Sequence, residues 1–296
     1  MSKKTNTADA PGTDVVTQQT ADTNTTGTSA LALPTELLQD FIDNAGAGLE
    51  DFSGSDFALP FISLLQKGSP QVDEADGKYV TGARPGMAFN TVTGETFDCA
   101  ILPNRPEPVG LSVVVAAMQR VMVEWRPNQG GYVGQHAVDS PAHKSATPNP
   151  DKKSLLRLPN GNDLADTMYF YVILDLPEGP GWGVIAMKST DLTEAKKWDT
   201  RIASQKFDAG NGVLKAAPMF GQSYILFSKI KENDFGSWMG WQVKSNGLVK
   251  NGTVFAAAKD YRKAVISGKA KATAPPEETA PADAQQGGGA GEDAPF

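Results

Sequence analysis

Between residues 188 and 267 the chain carries 13 Lys and Arg against 7 Asp and Glu, and aromatic rings are threaded among them. Lys188, Lys196, Lys197, Arg201, Lys206 and Lys215 come first, and Lys229, Lys231, Lys244, Lys250, Lys259, Arg262 and Lys263 follow. Trp198, Phe207, Phe220, Tyr224, Phe227, Phe235, Trp238, Trp241 and Tyr261 stand among them. This pairing suits single-stranded nucleic acid: cations track phosphates, and flat rings stack on bases at about 1–3 kcal/mol each. The candidate contacts are Lys188, Lys197, Trp198, Arg201, Lys206, Lys229, Lys231, Trp238, Trp241 and Lys244. Trp125, Arg126 and Tyr132 join them, at a strand end and in the Gly-rich stretch that follows, where a loop can close over a strand. Most rings of a folded domain belong to its core and most helix lysines are only solvated, so a minority of these residues would meet a base.

Other chemistry finds little support. His136 and His143, in "GGYVGQHAVDSPAHKS", are seven apart with Asp139 between them, which is no metal-ligand spacing, and no metal or other cofactor is expected. "GPGWG" lacks the Lys-Ser/Thr of a phosphate-binding loop, and no "GxSxG" elbow or tight acidic cluster is present. The expectation is a protein without catalytic activity. A single cysteine, Cys99, excludes a disulfide framework and points to a reducing cytoplasm. No apolar run reaches the roughly 18 residues of a membrane span.

The net charge of −7 hides a strong asymmetry. Residues 34–187 carry 10 bases against 19 acids, a net of −9, whereas residues 188–267 reach a net of +6. Residues 1–33 are rich in Thr, Ala and Asp with no apolar period, as a disordered leader would be. From Gly268 the chain turns to Ala, Pro, Gly and Glu with a net of −3, a composition that cannot offset its ordering entropy. The expected organisation is a leader (1–33), one folded domain (34–267) and a disordered acidic tail (268–296).

Positioning these residues requires a mainly β domain. "LPTELLQDFIDNAGAG" predicts a short amphipathic helix, with Gly46 as its stop, and "SDFALPFISLLQKGSPQVDE" a bent, half-buried segment. "GMAFNTVTGETFDC" predicts two short strands around Thr93-Gly94, and "LSVVVAAMQRVMVEWRP" a long strand that ends at Pro127. "TMYFYVILDLP" and "WGVIAMK" predict a hairpin with a generous loop, "PEGPG". "STDLTEAKKWDTRIASQKF" predicts the central helix, capped by Ser189 or Thr190, with Leu192, Ala195, Trp198 and Ile202 as its apolar stripe. A second hairpin across "END" and a closing helix in "GTVFAAAKDYRKAVIS" complete the domain. Three strand regions, a helix and two more strands suggest an extended OB-like barrel with added helices, with residues 127–167 as a long inserted loop.

The tail ends "GEDAPF", pairing acids with a terminal ring. This tip resembles that of bacterial single-stranded DNA-binding proteins, and of phage proteins that replace them. "PFISLLQKGSPQV", "GKYVTGARPGMAFNTVTGETFD" and "VEWRPNQGGYVGQH" resemble phage replication proteins as well. The resemblance implies that Glu292, Asp293, Pro295 and Phe296 recruit a polymerase, helicase or recombination protein during DNA replication and recombination. An acidic tether could also occupy the molecule's own basic groove until nucleic acid displaces it. A non-catalytic structural or assembly protein of a phage particle is the alternative. DNA or RNA preference and homo-oligomer formation stay open at this stage.

Overall fold

Residues 111–125 and 163–176 are dominated by Val, Ile, Leu, Met and aromatic side chains and are buried on both faces, so each strand needs cover on two sides. Around them the rest of the chain is laid. A computed structural model describes residues 37–43 and 58–273, apart from 104, 105, 107, 128–130, 234 and 235. The predicted stop at Gly46 and the tail tip lie outside the described residues.

In chain order the first elements are α1 (Leu38–Asp43), β1 (Ile62–Leu64), β2 (Ala88–Asn90), β3 (Thr96–Phe97) and β4 (Ala100–Ile101). Then come β5 (Leu111–Trp125), β6 (Tyr132–Ala137), α2 (Pro141–Ser145), β7 (Thr147–Pro148) and β8 (Leu155–Arg157). The second half has β9 (Asp163–Leu176), β10 (Gly179–Lys188), α3 (Leu192–Ser204), β11 (Lys206–Asp208) and β12 (Leu214–Ala216). The hairpin β13 (Gln222–Asn233) and β14 (Gly236–Leu248) and the helix α4 (Gly252–Ile266) follow. The fold is therefore mainly β with added helices.

Strands β5 and β9 pair antiparallel along their length and belong to two sub-sheets at once. At one end β13 flanks β5 and β10 flanks β9, giving the order β14-β13-β5-β9-β10. At the other end β6 flanks β5 and β8 flanks β9, with β7 outside β8. A register shift between Val115 and Ala117 marks an irregularity in β5 between the two regions.

A three-strand meander (β5, β9, β10), a helix, and a hairpin whose first strand returns to β5 follow the order of an OB-like barrel, whereas β2 and β3, the first of the expected strand regions, lie in a separate sheet with β1. The barrel is not closed, however: among the described residues β10 and β14 do not pair. The physical reason lies at the outward edge of β14, whose polar groups are already taken by side chains. Gln66 bonds both the N–H and the carbonyl of Met239, at 2.8 and 3.0 Å. Asp191 accepts from Trp241 N–H at 3.2 Å, Glu194 accepts from Val243 N–H at 3.3 Å, and Arg201 donates to the Val243 carbonyl at 2.9 Å. Five of the edge groups between Met239 and Val243 are thus occupied before a further strand could pair with them. On the far side, Phe61 bridges Val184 of β10, so the segment from Phe61 to Gln66 and α3 together span the gap.

Inside the curve, Ile62, Val113, Phe170, Ile185, Trp198, Tyr224, Leu226 and Trp241 form one core. Ala195, Trp198 and Ile202 of the predicted stripe are buried there. On the outer face α4 covers β5, β9 and β10 through Val254, Ala258 and Tyr261. Its N-cap is Asn251, whose side chain accepts from Thr253 N–H at 3.0 Å.

Four local expectations differ from the structure. The β9–β10 hairpin turns on Pro177 and Glu178 alone, because pairing runs on to Gly179↔Leu176. Ser189 and Thr190 do not cap α3; they form a 3-10 turn with Asp191, with Ser189 at φ 50. The insertion after β5 is the second sub-sheet rather than a loop. Core packing also continues past 267: Ala270 and Ala272 are 6% and 0% exposed, and Ala272 N–H donates to the Tyr171 hydroxyl at 3.1 Å.

Candidate nucleic-acid interface

Antiparallel pairing puts directly opposed residues on one face, so register decides which candidates meet. In the last hairpin, Ile225, Phe227, Lys229 and Lys231 of β13 oppose Lys244, Gln242, Gly240 and Trp238 of β14. The alternate positions, Leu226 and Val243, enter the core, so this set is the hairpin's outer face. Lys229 and Lys244 are exposed, Lys231 and Trp238 half-buried. Lys244 Nζ sits 4.5 Å from the Phe227 ring centroid, a cation–π contact that fixes the ammonium over an apolar floor. The Trp238 indole N–H is buried and finds no acceptor among the described residues. Four candidates thus share one strip: Lys229, Lys231, Trp238 and Lys244.

A second group gathers at the end of β5, opposite the start of β9. Trp125 is 2% exposed, with Tyr132 against it edge-on at 5.9 Å and Lys188 Nζ at 5.0 Å from its ring. Burial pushes the Tyr132 phenol above its ordinary pKa. Arg126 is exposed beside this group. Trp125 is a floor here rather than an open platform.

The remaining candidates do other work. Trp198 is fully buried, stacked on Phe170 at 4.2 Å and edge-on to Tyr224, and Trp241 is 3% exposed in the same core. Neither presents a ring face to a base, because the inner side of the curved sheet needs large side chains to fill it. Burial also pushes the Tyr224 phenol up to about 12. Arg201 spends its guanidinium on Glu194, at 3.0 Å, and on the β14 edge. Lys197 pairs with Glu194 at 3.7 Å on the exposed side of α3, and Lys206 is exposed on the separate β11–β12 hairpin.

One exposed ring was missed. Trp182 of β10 is 55% exposed and stacks on Tyr261 of α4 at 5.6 Å with 23° between the planes. It is the first residue of the predicted strand "WGVIAMK", and in the structure it pairs with Ile173. Extending the strand's alternation through "GPGWG" would have found it. Asp175 and Glu178 lie near it, so this ring stands in an acidic neighbourhood.

Among the described residues no group of three or more His, Cys, Asp and Glu is placed to hold a metal ion, and no helix is long and apolar enough to cross a membrane. The molecule is thus an open, OB-ordered β protein whose last hairpin carries exposed Lys229 and Lys244 and half-buried Lys231 and Trp238 on its outer face, over a buried Phe227. A family model described as "Pam3 phage gp34-like protein" matches residues 26–271, and the chain belongs to that phage family. No curated protein and no solved structure matches it.

Proposed function

We propose that this phage protein binds single-stranded DNA without catalysis, in replication or recombination in the host cytoplasm. The observation that carries the reading is the outer face of β13–β14: exposed Lys229 and Lys244 on the same face as half-buried Trp238, on a stretch that α4 does not cover. Ammonium groups spaced along a strand pair suit a phosphate backbone, and a ring beside them suits a base. The OB-like strand order supports the reading by fold analogy only. In this reading Glu292, Asp293, Pro295 and Phe296 recruit polymerase, helicase or recombination proteins on a tether.

Tryptophan fluorescence titrated with a dT oligonucleotide at low and high salt tests it. Saturable quenching that collapses with salt is expected, and Lys229→Glu with Lys244→Glu should lower affinity at least tenfold at low salt. Deleting residues 274–296 should preserve or raise affinity; the cut belongs after Thr273, since Ala270 and Ala272 are packed. A flat titration at low salt, with or without residues 274–296, overturns the proposal. Finding the protein stoichiometric in purified virions would then favour a role in the particle.

A further inference from the structure

We propose that Asp191 and Gly240 are positioning residues that withhold Lys231 from DNA, so that the strip engages phosphates through Lys229 and Lys244. This inference rests on the single-stranded DNA reading above. Lys231 belongs to the outer face by register, opposite Trp238. Its side chain does not stand off that face. It runs diagonally across Gly240, where a Cβ would fall 2.6 Å from Lys231 Cδ and 2.7 Å from Nζ. Glycine leaves room for the lysine to lie flat against β14 on this track.

At the end of the track the ammonium meets Asp191 Oδ1 at 2.7 Å and the Thr190 carbonyl at 3.4 Å. The same carboxylate oxygen accepts from Trp241 N–H, so Asp191 is fixed by the strand edge and not free to follow a departing lysine. The Lys231 and Asp191 side chains are 25% and 19% exposed, so the pair is screened far less than one in open water. Asp191 takes the place of a phosphate: a negatively charged oxygen, held in advance, that occupies the lysine before DNA arrives. Burial pushes its carboxyl above the ordinary range, and the bond and charge of Lys231 oppose that rise. Moving Lys231 to DNA would strand a half-desolvated carboxylate, whereas Lys229 can turn to a phosphate at no such cost.

Three substitutions separate the roles. Asp191→Asn keeps an oxygen for Trp241 N–H but removes the competing charge. Gly240→Ala blocks the track with Asp191 intact, and Lys231→Gln removes the cation. Affinity for a dT oligonucleotide is followed by tryptophan quenching from low to high salt. Asp191→Asn and Gly240→Ala should each tighten low-salt binding several-fold and steepen the slope of log K against log salt by about 0.7, one added single-strand phosphate contact. Lys231→Gln alone should leave affinity and slope unchanged, and should cancel the gain when combined with Asp191→Asn. If Lys231→Gln weakens the wild type as much as Lys229→Gln does, or if both other variants bind with the wild-type slope, the inference falls and the binding reading stands. If neither wild type nor Asp191→Asn quenches at low salt, both fall.

Discussion

Three donors converge on the carboxylate of Glu124: His136 Nε2 at 2.6 Å, Asn162 Nδ2 at 2.6 Å and Asn160 Nδ2 at 3.2 Å. They tie the turn before β9 to β5 and β6. Burial by itself would raise this carboxyl's pKa, but the bonds from Asn162, His136 and Asn160 outweigh it and hold the group below its ordinary value. A depressed folded-state pKa stabilises the protein above the unfolded pKa, and that contribution is lost as pH falls through the folded one. Glu124→Gln should therefore lower the urea midpoint at neutral pH, by about 1.5–3 kcal/mol in stability, and flatten the loss of stability on acidification. Unfolding curves at pH 7 and below 4 would check both, and an unchanged acid limb would assign the dependence to other carboxylates. The donors come from two separate stretches of chain and the acceptor from a third, so no single motif announces this site. Trp198 carries the opposite lesson. Its place in the Leu192, Ala195, Trp198, Ile202 stripe already marked it as core, and that signal outweighs the basic residues beside it.

At the scale of elements, the saturated edge of β14 makes the helix α3 part of the sheet. Arg201→Ala would leave the Val243 carbonyl without its donor and Glu194 without its guanidinium partner. A loss of about 1–3 kcal/mol is expected, read from the urea midpoint. Removing Gln66 and Glu194 together should bare the N–H groups of Met239 and Val243 and produce concentration-dependent association in sedimentation, as an unprotected edge strand does. The long elements were readable because their signal runs over many residues: β5 and β9 as long Val- and aromatic-rich stretches bounded by turns, α3 by its helical stripe, and the β13–β14 hairpin and α4 on either side of their turns. The second sub-sheet was not. Strands β7 and β8 have 2 and 3 residues and β6 only 6, too few to show alternation, and what secures them is pairing to the far ends of β5 and β9. The open barrel was equally hidden, since the side chains that occupy the β14 edge come from Gln66 and from α3.

For the molecule as a whole, the C-terminal limit of the fold is a testable boundary. A chain ending at Thr273 should melt with the full-length protein. One ending at Ser267 loses the buried Ala270 and Ala272 and the bond to Tyr171, and should melt several degrees lower, at about 2–4 °C per kcal/mol for a domain of this size. Calorimetry of the two truncations decides it; equal melting would show that residues 268–273 contribute nothing. The arrangement of β5 also has a temporal side. This strand is made early, yet one flank waits for β13, and the seam near Gln66 waits for Met239, 173 residues further along. While the chain is being synthesised, β5 and β9 can zip together, but their curved sheet keeps an open flank until the last hairpin leaves the ribosome. Such long-range closure slows folding and leaves apolar strand edges uncovered in the meantime. A nascent chain stalled before residue 222 should therefore bind chaperones and be cut readily by protease, whereas one stalled after α4 has cleared the ribosome should resist digestion.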